Sequence, residues 1–259
     1  MEDVIVIGAG VIGCAAALNL ARLGFHVQIV DSEPPGSGCS FGNAGIIAVD
    51  HVAPLASLQT VAGIPRMLIE QDGPLRLNTL AVPRMTPWML RFVTQSAPSN
   101  YRRNTEALAS LVTGAAAAWR RLIDSKVIPR EMYRDIGALY VFERPERAED
   151  HRKNLEILDR FQVEYKNLTA KQVRNDYLPA LTQDISHARF MPGMSSVANP
   201  QRIVQSVFDA ARAAGAIFTQ ARVTAIKVSP DSSVRVNAGE NTLTARKILI
   251  AGAGPVAAS

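Results

Sequence analysis

A run of β-branched residues followed directly by three glycines restricts the fold of this chain more than any other feature. Residues 4–7 read Val-Ile-Val-Ile, and the next six residues contain Gly8, Gly10 and Gly13. An uninterrupted β-branched run is typical of a strand that is buried on both faces of a parallel sheet. Glycines with this spacing are typical of a tight turn between such a strand and a helix.

The residues after the glycines complete a βαβ unit. Residues 15–23 are rich in Ala and Leu at helical spacing, and Gly24 stands where the end of a helix is expected. Residues 27–30 predict a second strand that ends at Asp31. A strand, a turn, a helix and a strand within about 30 residues form the context in which this glycine spacing predicts a bound dinucleotide.

Each glycine has its own physical role in that prediction. Gly8 makes the turn, Gly10 lets the backbone approach a pyrophosphate, and Gly13 lets the helix pack closely on the strand. Val11 and Ile12 lie between the second and third glycines, next to the N-terminus of the helix, where unpaired N–H groups and the helix dipole favour an anion. The alternative is a structural glycine turn in an α/β protein that binds no dinucleotide.

Asp31, at the end of the second strand, can accept hydrogen bonds from the hydroxyls of an adenosine ribose. Its negative charge disfavours a ribose that carries a 2′-phosphate. The alternative is that Asp31 only caps a turn. NAD and FAD share all of these features, so the glycine pattern by itself leaves both cofactors open.

The charge pattern argues against a nucleic-acid-binding protein. The chain has 28 Lys and Arg residues against 23 Asp and Glu residues, a formal net charge of +5. The basic residues are scattered and do not form the stripe that a nucleic acid needs. A small anionic substrate or an acidic membrane surface fits this mild excess better.

The cysteines, histidines and N-terminus predict a cytoplasmic protein without a metal site. The two cysteines, Cys14 and Cys39, fit a reducing compartment, and the four histidines lack the spacing of metal ligands. We expect a buried, inert thiol at Cys14 and no catalytic role for Cys39. The N-terminus is acidic, unlike a secretory signal, and no uninterrupted apolar stretch of about 18 residues predicts a membrane span.

Beyond the βαβ unit, the sequence predicts a mainly helical excursion and then a return to an α/β sheet. Asn199 and Pro200 are expected to begin the returning helix. The predicted helices cover residues 83–125, with one continuous helix at 105–123, and residues 146–161 and 200–214. The predicted strands cover residues 138–142, 216–218, 223–228, 234–236 and 247–251.

The loop after the second strand resembles that of a known family. Residues 39–47 read Cys-Ser-Phe-Gly-Asn-Ala-Gly-Ile-Ile within a stretch rich in Pro, Gly and Ser. This segment resembles the Ser-X-X-Asn-Ala-Gly stretch of bacterial D-amino-acid dehydrogenases, within the wider family of FAD-dependent amine oxidoreductases. Further likeness runs through residues 64–67, 72–75, 87–92, 137–140, 193 and 199–200.

The resemblance implies that FAD is the cofactor. In that family the loop lies along the pyrophosphate and the flavin ring, and the position of Val223 meets the adenine through its backbone. Carried over by position, the residues implied to line FAD are Gly8, Gly10, Val11, Ile12, Gly13, Asp31, Ser32, Ser40, Asn43, Ala44, Gly45, Ile46, Val223, Gly252 and Gly254.

The resemblance also implies an enzyme that oxidises the C–N bond of a D-amino acid or a related secondary amine. The product would be an imine, which hydrolyses to a 2-oxo acid. The substrate would be a small amino acid or amine, and the sequence names no catalytic residue. Two alternatives stay open: an NAD-dependent dehydrogenase, and a non-catalytic, truncated flavin-binding fragment.

The implied fold class is α/β. Residues 1–80 and 195–259 would form a Rossmann-like FAD-binding domain, and residues 81–194 an inserted α+β substrate domain. Members of the family usually continue well past the strand that matches residues 247–251. We therefore expect the substrate domain to be incomplete in this chain.

Three further residues carry open alternatives. His51 lies just beyond the flavin loop and could approach the substrate, or be a loop histidine without a function. Tyr140 could face the substrate, or simply pack in its strand. Trp88, with Arg84 and Arg91 nearby, could belong to a helix packed in the core, or to a helix on the inner face of the plasma membrane that would suit electron transfer to a quinone.

Overall fold

The computed structural model describes residues 2–69, 75–78, 80–145, 148–229, 231 and 233–252, without the side chains of residues 148–150. The chain divides into two compact units. Unit 1 comprises Met1–Ile46, Trp119–Arg134 and Ser196–Ser259, and unit 2 comprises Ile47–Ala118 and Asp135–Ser195.

The described residues form helices and strands that are numbered here along the chain. The α-helices are α1 (Val11–Arg22), α2 (Leu58–Ile69), α3 (Val82–Gln95), α4 (Pro98–Val112), α5 (Ala115–Asp124), α6 (Ala148–Arg160), α7 (Ala170–Gln172) and α8 (Pro200–Ala213). The strands are β1 (Glu2–Ile7), β2 (Val27–Asp31), β3 (Ile46–Ile47), β4 (Tyr133–Arg134), β5 (Ala138–Phe142), β6 (Lys166–Thr169), β7 (His187–Met191), β8 (Ser195–Val197), β9 (Ile217–Gln220), β10 (Val223–Val228), β11 (Val234–Ala238) and β12 (Asn241–Ile250).

Unit 1 is built on a sheet with the strand order β10-β11-β12-β1-β2-β9. β12, β1, β2 and β9 run parallel, whereas β11 is antiparallel to both of its neighbours. Residues 4–7 are all buried, as expected of a strand covered on both faces. Ile7 is in register with Val30 of β2 and with Ile250 of β12, so the carboxyl ends of three central strands meet at one edge.

Two helices of unit 1 pack against each other, and each buries one apolar face. The side chain of Asn199 accepts a hydrogen bond from the Arg202 N–H at 3.0 Å, which is the predicted cap of α8. The buried side chains are Cys14, Ala17, Leu18 and Ala21 of α1, and Ile203, Val204, Val207, Phe208 and Ala211 of α8.

Unit 2 contains an antiparallel sheet with the strand order β5-β7-β6. One core cluster is formed by Val52, Ala109, Leu158, Met191 and Met194. A second cluster is formed by Leu168, Val173 and Ala188. The remaining sheet among the described residues is short, with the order β3-β8-β4.

The single helix predicted at residues 105–123 is wrong, because α4 ends at Val112 and α5 begins at Ala115. The Thr113 hydroxyl donates a hydrogen bond to the Ala109 carbonyl at 2.8 Å. Gly114, which follows, has no side chain to favour continuation of the helix. Apolar spacing across the break therefore concealed a helix end.

Each compact unit combines separate stretches of the chain. Unit 2 begins at Ile47, and Trp119–Arg134 belongs to unit 1. The boundaries of the FAD-binding and substrate domains at residues 80 and 195 stay a prediction. Val52 is fully buried in the core of unit 2, and in unit 1 the Ala198 N–H donates to the Met132 carbonyl at 2.9 Å. Which unit a segment joins depends on contacts of this kind, and the amino-acid composition of the segment does not predict them.

Candidate functional site

The turn after β1 lies at the edge where the central strands end. The Gly8 N–H donates to the Val30 carbonyl at 2.8 Å, and the Ala251 N–H donates to the Ile7 carbonyl at 2.7 Å. Gly8 has φ of +110°, and a Cβ there would lie 2.7 Å from the Ala251 carbonyl oxygen. Both features require glycine, which agrees with the turn-forming role predicted for Gly8.

Gly13 and Gly10 differ in what surrounds them. A Cβ on Gly13 would lie 1.9 Å from the Gly8 carbonyl oxygen, so only glycine allows this helix to approach the strand. Among the described residues, a Cβ on Gly10 would meet only the Ser40 hydroxyl within 4 Å, at 3.3 Å. Gly10 has an extended backbone with φ of −78°, so its own conformation does not require glycine. The space beside it is what glycine preserves.

The N-terminus of α1 is suited to an anion. Gly10 is the N-cap and supplies no capping side chain, and the first turn carries no acidic residue. The Val11 N–H donates to the Ser40 hydroxyl at 3.1 Å, and the side chain of Ile12 is 69% exposed. The first N–H groups of a helix have no partner within the helix, and the dipole adds a partial positive charge.

Asp31 ends β2 beside this turn and holds it in place. Its Oδ2 accepts a hydrogen bond from the Ala9 N–H at 2.7 Å, and its Oδ1 accepts one from the Glu33 N–H at 3.1 Å. The turn-capping alternative therefore describes real contacts of this carboxylate. Each carboxylate oxygen can accept a further hydrogen bond, so both oxygens can still receive ribose hydroxyls.

The loop after β2 folds back onto the glycine turn. The Gly36 N–H donates to the Ala9 carbonyl at 3.0 Å, and Ser40 reaches the start of α1 as described. Gly36 has φ of +77°, and a Cβ there would lie 3.0 Å from Val204 Cβ. Sequence reasoning did not single out Ala9 and Gly36, although Ala9 lies within the glycine pattern and Gly36 within the loop rich in Pro, Gly and Ser.

The second half of the loop is held by hydrogen bonds to the Gly45 backbone. The Asn43 side chain accepts a hydrogen bond from the Gly45 N–H at 2.9 Å. Gly45 has φ of +65°, and the Val197 N–H donates to its carbonyl at 2.8 Å. The side chains of Asn43, Ala44 and Ile46 are exposed, so they are accessible to a ligand.

The structure brings some of the remaining predicted contacts to the turn and separates others from it. Gly252 follows β12, and its nitrogen would lie 2.9 Å from a Cβ on Gly8. Val223 begins β10 at the outer side of the sheet, two residues after Ala221, whose N–H donates to the Asp31 carbonyl at 2.8 Å. Ser32 is exposed, and its carbonyl accepts from the Gln220 amide at 3.2 Å. Gly254 lies outside the described residues.

Cys14 has the buried environment that its sequence context predicts. Its thiol is fully buried and donates to the Ala9 carbonyl at 3.4 Å. Burial, and secondarily the charge of Asp31, raises the pKa of the Cys14 thiol to about 12. A thiol that stays protonated is a poor nucleophile. Cys39, in contrast, is exposed.

Unit 2 brings together two residues that the sequence singled out separately. The Tyr140 hydroxyl lies 3.3 Å from His51 Nε2. Burial raises the pKa of Tyr140 well above its ordinary value, and the negative charge of Asp50 raises it further. Asp50 was not singled out from the sequence, because an Asp in a loop carries no signal of burial.

Trp88 is 61% exposed, and α3 buries none of its residues. The hypothesis that α3 packs in the core is therefore wrong for the described part of the chain. No described helix combines the length and apolar character needed to cross a bilayer. The described residues also include no cluster of three or more His, Cys, Asp or Glu side chains suited to a metal ion.

Comparisons with known proteins identify the family. Residues 3–258 match the family model described as FAD dependent oxidoreductase. The chain is 38% identical over 109 residues to a D-amino acid dehydrogenase of Dechloromonas aromatica, and the aligned segment covers 42% of this chain and 26% of that protein. It is 26% identical over 239 residues to a D-amino-acid oxidase of Bradyrhizobium diazoefficiens, which covers 91% of this chain and 56% of that protein.

A solved structure shares the fold. Glycine oxidase from Geobacillus kaustophilus aligns with a TM-score of 0.64 at 19% identity, over 97% of this chain and 55% of that chain. The chain thus spans about half the length, or less, of these relatives. The predicted Rossmann-like α/β fold and the choice of FAD over NAD are confirmed. Because the family model spans nearly every residue, the chain belongs to the FAD dependent oxidoreductase family.

Proposed function

We propose that unit 1 binds FAD at the edge of its sheet and that the protein oxidises the C–N bond of a D-amino acid or a related secondary amine. The observation that carries the proposal is the open start of α1. There Gly10 leaves space that, among the described residues, only the Ser40 hydroxyl borders, and Asp31 lies at the end of the neighbouring strand. The N–H donors at the helix start suit a dinucleotide pyrophosphate, and the Asp31 carboxylate is an acceptor that suits ribose hydroxyls.

The residues at this edge fit FAD in distinct ways. The N–H groups at the start of α1 would hold the pyrophosphate, and Asp31 would accept the ribose hydroxyls. Ser40 would fix the first N–H of the helix, to which it is already bonded. The other residues that would line the cofactor are Gly8, Gly13, Ser32, Asn43, Ala44, Gly45, Ile46, Val223 and Gly252.

Bound FAD would supply the oxidising chemistry, as the acceptor of the hydride that leaves the carbon next to the substrate nitrogen. The part of this chain is to bind and orient. The positive end of α1 offsets the pyrophosphate charge, and the carboxylate of Asp31 keeps the glycine turn in shape through the Ala9 N–H. We propose that unit 2 carries the substrate-binding residues and corresponds to the inserted substrate domain.

The names of the relatives support the substrate class. One is a D-amino acid dehydrogenase and another a D-amino-acid oxidase. The product imine would hydrolyse to a 2-oxo acid.

The experiment is to purify the chain, measure its flavin content by the absorbance of released FAD, and then add D-amino acids and N-methyl amino acids without oxygen. Bleaching of the bound flavin by one of these compounds supports the proposal. A chain that takes up NAD but no flavin contradicts it. L-amino acids of the same side chains provide the matched control.

We also propose that α3 contacts the inner face of the plasma membrane and thereby brings the enzyme to a quinone as electron acceptor. Arg84, Trp88 and Arg91 are exposed and lie on one face at helical spacing, and α3 contains no acidic residue. Trp88 stacks on Phe92 with ring centroids 5.4 Å apart. Basic residues beside an exposed Trp suit the surface of an anionic membrane.

Vesicle binding tests the membrane proposal. In the Trp119→Phe background, Trp88 is the remaining tryptophan, so its fluorescence reports α3 alone. We expect a blue shift with vesicles that contain phosphatidylglycerol and none with phosphatidylcholine alone. Absence of the shift with anionic vesicles, or its persistence in the double variant Arg84→Gln, Arg91→Gln, contradicts the proposal.

A further inference from the structure

Unit 2 holds a cluster of polar side chains that the proposed FAD site does not use. Asp50 and His51 follow β3, and Tyr140 lies on β5. His51 Nε2 is 3.3 Å from the Tyr140 hydroxyl and 3.9 Å from Asp50 Oδ1. The Tyr140 hydroxyl also donates to Met194 Sδ at 3.7 Å. Two distant stretches of sequence thus meet at one point.

Asp50 has a buried oxygen without a donor. Its side chain is 10% exposed, and Oδ1 is fully buried with no hydrogen-bond partner among the described residues. His51 Nε2, at 3.9 Å, is beyond hydrogen-bonding distance. A buried carboxylate oxygen without a partner destabilises the fold, so such an atom in a native protein calls for an explanation, such as a role in binding or an ordered water or ion.

The cluster is held by the core of unit 2 rather than by a flexible surface. Val52 is fully buried, and its N–H donates to the Asp50 carbonyl at 2.7 Å. Val52 and Met194 belong to one core cluster, against which Tyr140 packs. The positions of Asp50 and Tyr140 are therefore fixed before any ligand arrives, which limits the entropy lost on binding.

Tyr140 has a neutral hydroxyl that can accept a hydrogen bond. Burial raises the pKa of Tyr140, and the nearby Asp50 carboxylate raises it further. The hydroxyl thus stays neutral over the physiological range. While it donates to Met194, its lone pairs can accept from another donor.

We propose that Asp50, His51 and Tyr140 form a binding site for a protonated amine. A primary ammonium group has three N–H donors. The cluster offers a carboxylate oxygen, a phenol oxygen and, in the tautomer that is unprotonated at Nε2, an imidazole nitrogen as acceptors. Asp50 makes the interaction charge-assisted and repels anions. The inference rests on the proposed function, which makes an amine the substrate, and it assigns the recognition of the substrate amino group to these residues.

The test is a titration of the purified 259-residue chain with ethylammonium, propionate and D-alanine at one mildly alkaline pH. The readout is the imidazole NMR signal of His51, identified by its loss in His51→Asn. We expect ethylammonium and D-alanine to shift this signal in a saturable manner, and propionate to leave it unchanged. Equal shifts with propionate and ethylammonium, or no shift with ethylammonium, would overturn the proposal.

Variants connect the response to the buried oxygen. Asp50→Asn should weaken ethylammonium binding roughly tenfold or more, the factor expected from loss of one charge-assisted hydrogen bond. Tyr140→Phe should weaken it by a smaller factor. Asp184→Asn is the matched control, because Asp184 is fully exposed in the same unit and its partner is Arg174. Unchanged affinity in Asp50→Asn, with a native amide spectrum, would overturn the proposal.

The flavin content of the same samples separates this inference from the proposed function. A chain that binds no FAD but shows the Asp50-dependent response retains the amine site and refutes the function. A chain that binds FAD and bleaches with a D-amino acid, but shows no Asp50-dependent response, keeps the function and refutes the amine site.

Discussion

The two units present polar sites of opposite construction. In unit 1 the candidate site consists mainly of backbone groups, with glycines at positions where a Cβ would collide or would fill ligand space. In unit 2 the amine site consists of side chains from separate segments around a carboxylate oxygen that lacks a donor. The polar groups that hold the first site are already bonded, whereas the second contains one that is not.

This difference shows where stability and ligand binding coincide. In unit 1 the Asp31 carboxylate both holds the turn and faces the proposed ribose, so removing it should harm folding and binding together. In unit 2 we expect the Asp50 carboxylate to destabilise the chain without ligand and to contribute to ligand binding alone. Substitution of the carboxylate should therefore lower stability and affinity together in unit 1, but lower only affinity in unit 2. Five predictions on the two units follow, in order of decreasing effect.

Gly13→Ala should produce the largest loss. Its Cβ would lie 1.9 Å from the Gly8 carbonyl oxygen, so α1 must move away from β1. We expect a loss of about 3 kcal/mol or more in the free energy of unfolding, measured in urea. Gly114→Ala is the control, because nothing lies within 4 Å of its added Cβ and its φ is not positive. A stable Gly13→Ala chain would show that the helix and strand are not so closely packed.

Gly10→Val should remove FAD binding while leaving the fold in place. Among the described residues, the added Cβ meets only the Ser40 hydroxyl, and the rest of the side chain would fill the space proposed for the pyrophosphate. We expect FAD affinity to fall by about a hundredfold or more, equivalent to about 2.7 kcal/mol, with an unchanged unfolding midpoint. Gly114→Val serves as the control, since no described atom lies within 4 Å of its added Cβ and Gly114 lies outside the proposed FAD site. Undiminished flavin content in Gly10→Val contradicts the proposed site.

Asp31→Ala should weaken both FAD binding and the fold. Loss of hydrogen bonds to a charged group predicts an affinity lower by about 1 to 3 kcal/mol. The Ala9 and Glu33 N–H groups also lose their acceptor, which should lower the free energy of unfolding by about 1 kcal/mol or more. Titration of the apoprotein and urea unfolding measure the two effects. Loss of stability with unchanged affinity would reduce Asp31 to a turn cap.

Asp50→Asn should change the free energy of unfolding in the opposite direction. The substitution keeps the shape of the side chain but removes a buried charge that lacks a donor. We expect the chain without ligand to gain about 1 kcal/mol of stability. The same change at Asp31 should lower stability, so the two Asn variants form a matched pair. A loss of stability at position 50 would mean that this carboxylate already has a partner.

The two thiols should differ in reactivity without any change in fold. The Cys14 thiol, with its pKa raised to about 12, stays protonated at about pH 8 and is buried, whereas Cys39 is exposed. A thiol reagent should therefore label Cys39 alone in the folded chain and both cysteines in urea. Labelling of folded Cys39→Ser would indicate that α1 opens.

Much of unit 1 follows from local sequence signals. Residues 4–7 form a buried strand because β-branched side chains favour that environment, and Gly8 and Gly13 are required by backbone geometry that glycine alone permits. The strand predicted at residues 223–228 and the helix capped by Asn199 are also present. The strands, the helix cap and the close approach of Gly13 to Gly8 depend on neighbours within a few residues along the chain, whereas the approach of Gly8 to Ala251 is a long-range contact.

The sequence therefore determined the dinucleotide turn, its helix and its strands, since turn geometry, helix capping and apolar spacing are local properties. Only the tertiary structure decided that α4 ends at Val112, that residues from Ile47 onward join unit 2, and that Asp50 meets Tyr140. Those outcomes depend on which side chains are buried together across long separations in sequence. Burial is a property of the packed chain, and no short pattern of residues specifies it.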